Sequence, residues 1–180
     1  MKKTIVFLAE GFEEIEAISI IDMLRRAEVG VTTVSIGNEK EVKGAHNVPV
    51  VADKLFEEVD FSNYNMVILP GGMPGAKHLQ EHKGVKKQVE TFANDKYVAA
   101  ICAAPMILGS MGLLKGKRAT CYPGFEAELI EATITNEPVT VDGNIITGKG
   151  PAFAIQFALQ LVEILAGKAV KDEVSNGLLL

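Results

Sequence analysis

Cys102 ends the apolar run Tyr97-Val98-Ala99-Ala100-Ile101, and the helix-compatible Ala103-Ala104-Pro105 follows at once. Small residues stand two before and two after it, at Ala100 and Ala104, as a tight turn that packs backbone on backbone requires. The layout is a thiol version of a nucleophile elbow, the strand-to-helix turn that lifts a reactive atom out of a sheet. A sulfur placed there faces a helix N-terminus, whose unpaired N–H groups favour thiolate over thiol. The competing reading is a buried cysteine serving as a small hydrophobe, the commoner fate of a free thiol.

Two further groups could work with such a thiol. Glu10, Glu13, Glu14 and Glu16 crowd the end of the first apolar run. Acidic side chains in a first helical turn are usually exposed partners of the helix dipole, and most of these are expected to play that part. Glu16 differs, because it lies between Ile15 and Ala17 with Ile20 one turn further along its own face. A carboxyl on an apolar face is desolvated, which raises its pKa toward the proton-holding form. A neutral Glu16 would donate a hydrogen bond to the Cys102 sulfur or exchange a proton with a substrate. Pro70-Gly71-Gly72 ends a third run. Its structural role is a turn with positive φ or close backbone approach. Its chemical role would be to set the Gly72 N–H beside the Ala103 N–H as an oxyanion hole.

The surrounding pattern shows how these groups could meet. Thr4–Ala9 is a continuous apolar run, as in a strand buried on both faces, and Ala17, Ile20, Ile21, Leu24 and Ala27 follow with helical period. Val31–Ile36 reads as a second strand, Asn47–Ala52 as a short excursion strand or hairpin, and Met66–Leu69 as another buried strand. Val85, Val89, Phe92 and Ala93 mark a helix leading to the Cys102 strand. Short strands are expected at Arg118–Cys121, around Ile134, at Val139–Val141 and at Ile145–Thr147. Pro151 opens a closing helix with an apolar stripe through Phe153, Phe157, Leu161, Ile164 and Leu165. Alternating strands and helices imply a mainly parallel sheet covered on both faces. Loops at the carboxyl ends of such strands gather ligands and catalytic groups, and the Glu10–Glu16, Pro70–Ala76 and Cys102 segments all fall there.

Composition removes several alternatives. The 180 residues suit one domain, 1–180, with 48% hydrophobic and 23% charged residues. A net charge of −5 argues against bulk electrostatic binding of nucleic acid. No apolar run reaches membrane-spanning length, and the start meets an acidic residue too early for a signal peptide, so a cytoplasmic protein with reduced thiols is expected. His46, His78 and His82 show no metal-ligand spacing with the two cysteines, and no zinc motif is present. Lys77, Glu81 and Lys83 mark the His78–His82 stretch as solvated. Phosphate-binding glycine patterns are missing after the first strand.

Leu8-Ala9-Glu10-Gly11-Phe12-Glu13-Glu14-Ile15-Glu16, Leu69-Pro70-Gly71-Gly72-Met73-Pro74-Gly75-Ala76 and Ala99-Ala100-Ile101-Cys102-Ala103-Ala104-Pro105 resemble the signatures of the DJ-1/ThiJ/PfpI superfamily. Arg25-Arg26-Ala27 and Thr147-Gly148-Lys149-Gly150-Pro151 add to the similarity, which is greatest to the DJ-1/ThiJ branch and spans nearly the whole chain. The resemblance implies a flavodoxin-like three-layer α/β sandwich, usually homodimeric, that needs neither cofactor nor metal. It implies that Cys102 is the nucleophile or oxidation-sensing thiol and Glu16 its protonated partner, with Gly72 and Ala103 supplying backbone donors. Gly71, Glu13, Arg26, His46 and Tyr122 are the further pocket candidates it suggests.

Family members have been assigned glyoxalase activity, disputed deglycase activity on dicarbonyl adducts, and oxidative-stress or chaperone roles. The leading expectation is therefore a cysteine-dependent enzyme acting on reactive dicarbonyls or their adducts in stress protection. The alternative is a redox-sensing stress protein or chaperone with little turnover. Peptidase or amidotransferase chemistry is disfavoured, because the position after the thiol, where peptidase-like members carry histidine, is Ala103. Tyr122 stands where some relatives carry histidine, and a phenol donates a hydrogen bond where an imidazole would also take a proton. His46 stands where some carry arginine, which leaves any anion site there weaker or pH-dependent.

Overall fold

All residues, 1–180, are described in a computed structural model. The first half of the chain forms β1 (Lys3–Leu8), α1 (Glu14–Arg26), β2 (Gly30–Ser35), β3 (Glu41–Lys43), β4 (Pro49–Val51), β5 (Lys54–Leu55), β6 (Met66–Leu69), α2 (Gly75–Glu81) and α3 (Lys83–Asp95). The second half forms β7 (Tyr97–Ile101), α4 (Pro105–Ser110), β8 (Arg118–Ala119), β9 (Thr133–Ile134), β10 (Val139–Asp142), β11 (Ile145–Gly148), α5 (Ala154–Ala166) and α6 (Lys168–Gly177).

Seven strands make the central sheet in the order β10-β11-β7-β6-β1-β2-β5, parallel throughout except for β10 against β11. Strand period explains how one apolar run serves two cores. In β1, Ile5 and Phe7 join Val85, Val89 and Phe92 on the face covered by α2, α3 and α4. Val6 and Leu8 join Ile20, Leu24, Phe157 and Leu161 under α1, α5 and α6. This is the flavodoxin-like sandwich that the alternation of strands and helices anticipates.

The chain runs outward from β1 to β2 and then returns to lay β6 on the other side of β1. Connections from β1 and β6 therefore diverge, opening a crevice at the carboxyl ends of the strands. The facing loops are tied together there. The Glu13 N–H donates to Gly71 O at 2.9 Å, and the Gly75 N–H to Gly11 O at 3.2 Å. β3 and β4 form a separate hairpin folded against the first loop, where the Ala45 N–H reaches Phe12 O at 2.8 Å.

Some expectations need correction. The stretch carrying His78 is a helix, α2, because Gly75, Ala76 and Leu79 find cover despite the charges between them. α6 was not anticipated; its buried anchor is Val174, too little apolar pattern to announce a helix. The closing helix starts with a 3-10 turn at Pro151–Phe153 before α5 begins. No helix is long and apolar enough to cross a membrane.

Candidate active site

Cys102 follows β7 directly and adopts φ +66°, a left-handed conformation that a non-glycine residue enters only when its surroundings impose it. Its backbone is held from both sides. The Cys102 N–H donates to Gly148 O at 2.9 Å, and its carbonyl accepts from the Tyr122 N–H at 2.8 Å. Pro105 then begins α4 at the first helical position, where a missing N–H costs nothing. The elbow is therefore real, and the sulfur is turned toward the crevice with the residue only 8% exposed.

Glu16 enters from the first turn of α1. Glu13 caps that helix, its Oε2 accepting from the Glu16 N–H at 2.7 Å, which orients the turn. The Glu16 side chain is fully buried, and its Oε2 accepts from the Gly71 N–H at 2.8 Å. Gly71 lies between acid and thiol: a Cβ built on it would fall 2.6 Å from Glu16 Oε2 and 2.6 Å from Cys102 Cβ. Glycine is required there to let the two groups meet.

Burial pushes the Glu16 pKa up to about 7; the thiol and the Gly71 N–H pull against this, and the Glu13 charge adds to it. Glu16 Oε1 is buried without a hydrogen-bond partner. A protonated carboxyl is the form such a pocket tolerates best.

The thiol departs from expectation. Burial first, and the Glu16 charge second, raise the Cys102 pKa well above the ordinary thiol value. The Gly72 and Ala103 N–H groups pull it down without overcoming that push. Neither N–H donates to another backbone carbonyl, so both are free for the sulfur or for an oxyanion next to it. The expected thiolate at a helix N-terminus is therefore not what this pocket favours, because burial and the Glu16 charge outweigh the two N–H groups. Two adjacent buried acids resist joint ionisation, so above neutrality the pair carries one shared proton over a wide range.

The remaining candidates divide. Tyr122 stands beside Cys102 through the backbone bond, its ring packed over Gly150 and half exposed. His46 is on the exposed β3–β4 turn, where its Nδ1 is 2.8 Å from Glu14 Oε2. That bond holds the imidazole pKa above its ordinary value. Arg26 is not brought to the thiol within one chain; it pairs with Asp22 at 2.8 Å, about 15 Å along α1 from Glu16. Glu13 and Glu14 are not simple dipole partners. Glu13 is buried, and Glu14 anchors the hairpin through the His46 N–H at 2.6 Å. Gly148, whose carbonyl accepts from the Cys102 N–H, was not anticipated as part of the elbow, since nothing local marks an acceptor supplied by a distant strand.

The chain is similar to known proteins along nearly its whole length. The chain is 40% identical over 182 residues to Protein DJ-1 homolog B of Arabidopsis thaliana, covering 99% of this chain but 42% of that relative, so it spans less than half of that protein. It is 32% identical to the glutathione-independent glyoxalase DJ-1 of Schizosaccharomyces pombe, covering 99% of this chain and 98% of that one. The solved structure of oxidized Toxoplasma gondii DJ-1 superposes with a TM-score of 0.95 at 38% identity, covering 99% of this chain and 98% of that chain. The sequence pattern of the DJ-1/PfpI family matches residues 2–164. An elbow cysteine, a buried glutamate and a whole-length match lead to one conclusion: the chain belongs to the DJ-1/PfpI family.

Proposed function

We propose that the protein converts small reactive dicarbonyls, or the adducts they form, with Cys102 as nucleophile and Glu16 as the group that moves protons. The observation that carries this reading is a fully buried carboxyl, its pKa raised to about 7, facing an elbow thiol across Gly71. An acid–base group is most effective when its pKa is close to the working pH.

With methylglyoxal the steps balance as follows. Ionised Glu16 takes the thiol proton as sulfur bonds to the aldehyde carbon, and the carbonyl electrons move to oxygen. The Gly72 and Ala103 N–H groups stabilise that oxyanion until Glu16 returns the proton, giving a neutral hemithioacetal. Glu16, again a carboxylate, removes the proton on the former aldehyde carbon to form an enediol. It delivers that proton to the neighbouring carbon while the hydroxyl proton on the sulfur-bearing carbon passes to the oxygen of that neighbour, leaving a thioester of the 2-hydroxy acid. Water cleaves the thioester, releasing lactate and regenerating the thiol. The net change is addition of one water to methylglyoxal, with no external oxidant or reductant. A raised thiol pKa fits this cycle, because the nucleophile is made by transfer to Glu16 rather than held as a standing thiolate.

The name of the fission-yeast relative, a glutathione-independent glyoxalase, supports the same reading. The test is D-lactate formation by the purified wild type, Cys102→Ser and Glu16→Gln. Loss in both variants is expected; equal rates in wild type and Cys102→Ser overturn the covalent route.

A second reading, oxidation sensing at the same thiol in stress protection, is favoured by the two free N–H donors at the sulfur and by the oxidized state of the Toxoplasma relative. Sulfinate oxygens would accept from those donors, and a protonated Glu16 would add a third. A homodimer in the cytoplasm completes the proposal. The exposed Ile15, Ile18, Val48 and Val51 supply an apolar surface for a second copy.

A further inference from the structure

We propose that Thr147 is a positioning residue for Cys102, its hydroxyl joining the two chain segments that hold the elbow backbone. The Thr120 N–H donates to Thr147 Oγ1 at 3.0 Å, and both residues are buried. Gly148, next after Thr147, accepts from the Cys102 N–H, and Tyr122, two after Thr120, donates to the Cys102 carbonyl. One side-chain bond therefore closes a ring whose other two bonds lie on either side of the thiol residue.

The two arms of this ring are not equally rigid. Gly148 ends β11 and pairs with Ile101 of β7. A Cβ built on it would lie 2.7 Å from Phe157 Cδ2 and 2.9 Å from Ile101 Cγ1, so the core fixes that arm by packing. Thr120–Tyr122 lies beyond the end of β8 and belongs to no strand. Two hydrogen bonds tie it to the central sheet and the elbow, Thr120 N–H to Thr147 and Tyr122 N–H to Cys102. The Thr120 hydroxyl is buried without a partner, so its N–H carries the link alone. Without the Thr147 oxygen, the segment would be held by Cys102, the residue it has to position.

Cys102 needs such support, because its φ of +66° persists only where the surroundings over-determine it. Thr147 lies between Thr140 of β10 and Ala100 of β7, and by strand period it shares the face of Ile145. Ile145 belongs to one core and Cys102 to the other, so Thr147 acts through backbone and touches no reacting atom. A buried strand would accept valine at this position equally well; what threonine adds is an acceptor. Releasing the elbow would displace the sulfur from Glu16 and from the Gly72 and Ala103 N–H groups. The consequence for turnover rests on the reading that Cys102 and Glu16 act together.

The test compares Thr147→Val and Thr147→Ala, which lack the acceptor, with Thr147→Ser, which keeps it. Thr140→Val is the control: it removes a buried hydroxyl from the paired strand, bonded to Thr135 at 2.6 Å, and no bond to Thr120–Tyr122. Iodoacetamide alkylation of Cys102 over about pH 6 to pH 10, read by mass spectrometry, reports on the elbow without any substrate. Burial and the Glu16 charge hold the thiol pKa up in wild type. A released sulfur should therefore alkylate at lower pH in Thr147→Val and Thr147→Ala. In the same two variants kcat/KM for methylglyoxal should fall about tenfold or more through misplacement. Thr147→Ser should restore both readouts, and Thr140→Val should leave both as in wild type. A wild type inactive on methylglyoxal would remove the dicarbonyl reading alone, since alkylation still decides the role of Thr147. A wild-type alkylation profile in Thr147→Val and Thr147→Ala, an equal displacement in Thr140→Val, or no recovery in Thr147→Ser would each overturn the proposal.

Discussion

The Gly71 N–H donates to Glu16 at 2.8 Å, and the same residue separates that acid from the Cys102 side chain. One backbone position thus does two jobs: it binds the carboxyl and leaves the space through which acid and thiol interact.

Gly71→Ala tests that arrangement. The new methyl would come within 2.6 Å of both Glu16 Oε2 and Cys102 Cβ, closer than any real Cβ contact. Neither neighbour can retreat easily, since one is hydrogen-bonded and the other belongs to the elbow. We expect kcat/KM for methylglyoxal to fall about a hundredfold through misplacement alone. Overpacking should lower stability by about 1–3 kcal/mol. A kcat/KM near that of wild type would show that the close approach is not needed for turnover.

Glu16→Gln should change how stability depends on pH. Burial raises the folded-state pKa of Glu16 from 4.5 to about 7, so the native state binds the proton more tightly than the unfolded chain does. The contribution is fully present below pH 4.5 and is lost as pH rises through about 7. That interval corresponds to about 3 kcal/mol. Gln keeps an acceptor for the Gly71 N–H and does not titrate. Urea unfolding of both proteins from pH 4 to pH 8 should therefore show the variant gaining on wild type as pH rises. A stability difference that stays constant across this range would mean that Glu16 is not desolvated in solution.

The two thiols should differ under mild peroxide. Both have raised pKa values, Cys102 from burial and then Glu16, and Cys121, up to about 11, from burial and then Glu126. Only Cys102 has the Gly72 and Ala103 N–H groups at its sulfur. Those donors stabilise sulfinate oxygens where Cys121 has none, so sulfinate should accumulate at Cys102 first although neither thiol rests as a thiolate, and oxidation of both should accelerate with pH. Mass spectrometry of the two peptides reads this directly. Parallel oxidation of both would remove the case for a specialised sensor.

Much of this was legible along the chain, and the rest was hidden for physical reasons. β1, β6 and β7 were readable because strands buried on both faces are continuously apolar. The elbow and Glu16 were readable because small residues around a strand-end thiol, and a lone acid on an apolar helical face, are local patterns. The direction of the Cys102 shift was not, because it depends on how deeply the elbow is buried and on a charge from a different loop. α2 and α6 escaped because Ala76, Leu79 and Val174 are too few to impose a period. The Glu14–His46 contact escaped because it is made across 32 residues by a hairpin whose docking no local pattern encodes.

Self-association should depend on α1 and the hairpin together. Ile15 and Ile18 are one turn apart on the outer side of α1, while Val48 and Val51 project from the β3–β4 unit, and all four are exposed. Glu14 joins the two surfaces, accepting from the N–H groups of His46 at 2.6 Å and Val48 at 3.4 Å. Exposed apolar side chains on two adjoining elements are what a second copy would cover. Ile18→Glu and Val51→Glu each bring a charge that association would have to desolvate, so each should shift the protein to monomer at micromolar concentration. Val141→Glu, on the edge strand β10, adds the same charge elsewhere and should leave the dimer intact. Light scattering after size exclusion distinguishes these outcomes. A monomeric wild type, or a dimer unaffected by Ile18→Glu and Val51→Glu, would show that this surface does not pair the chains.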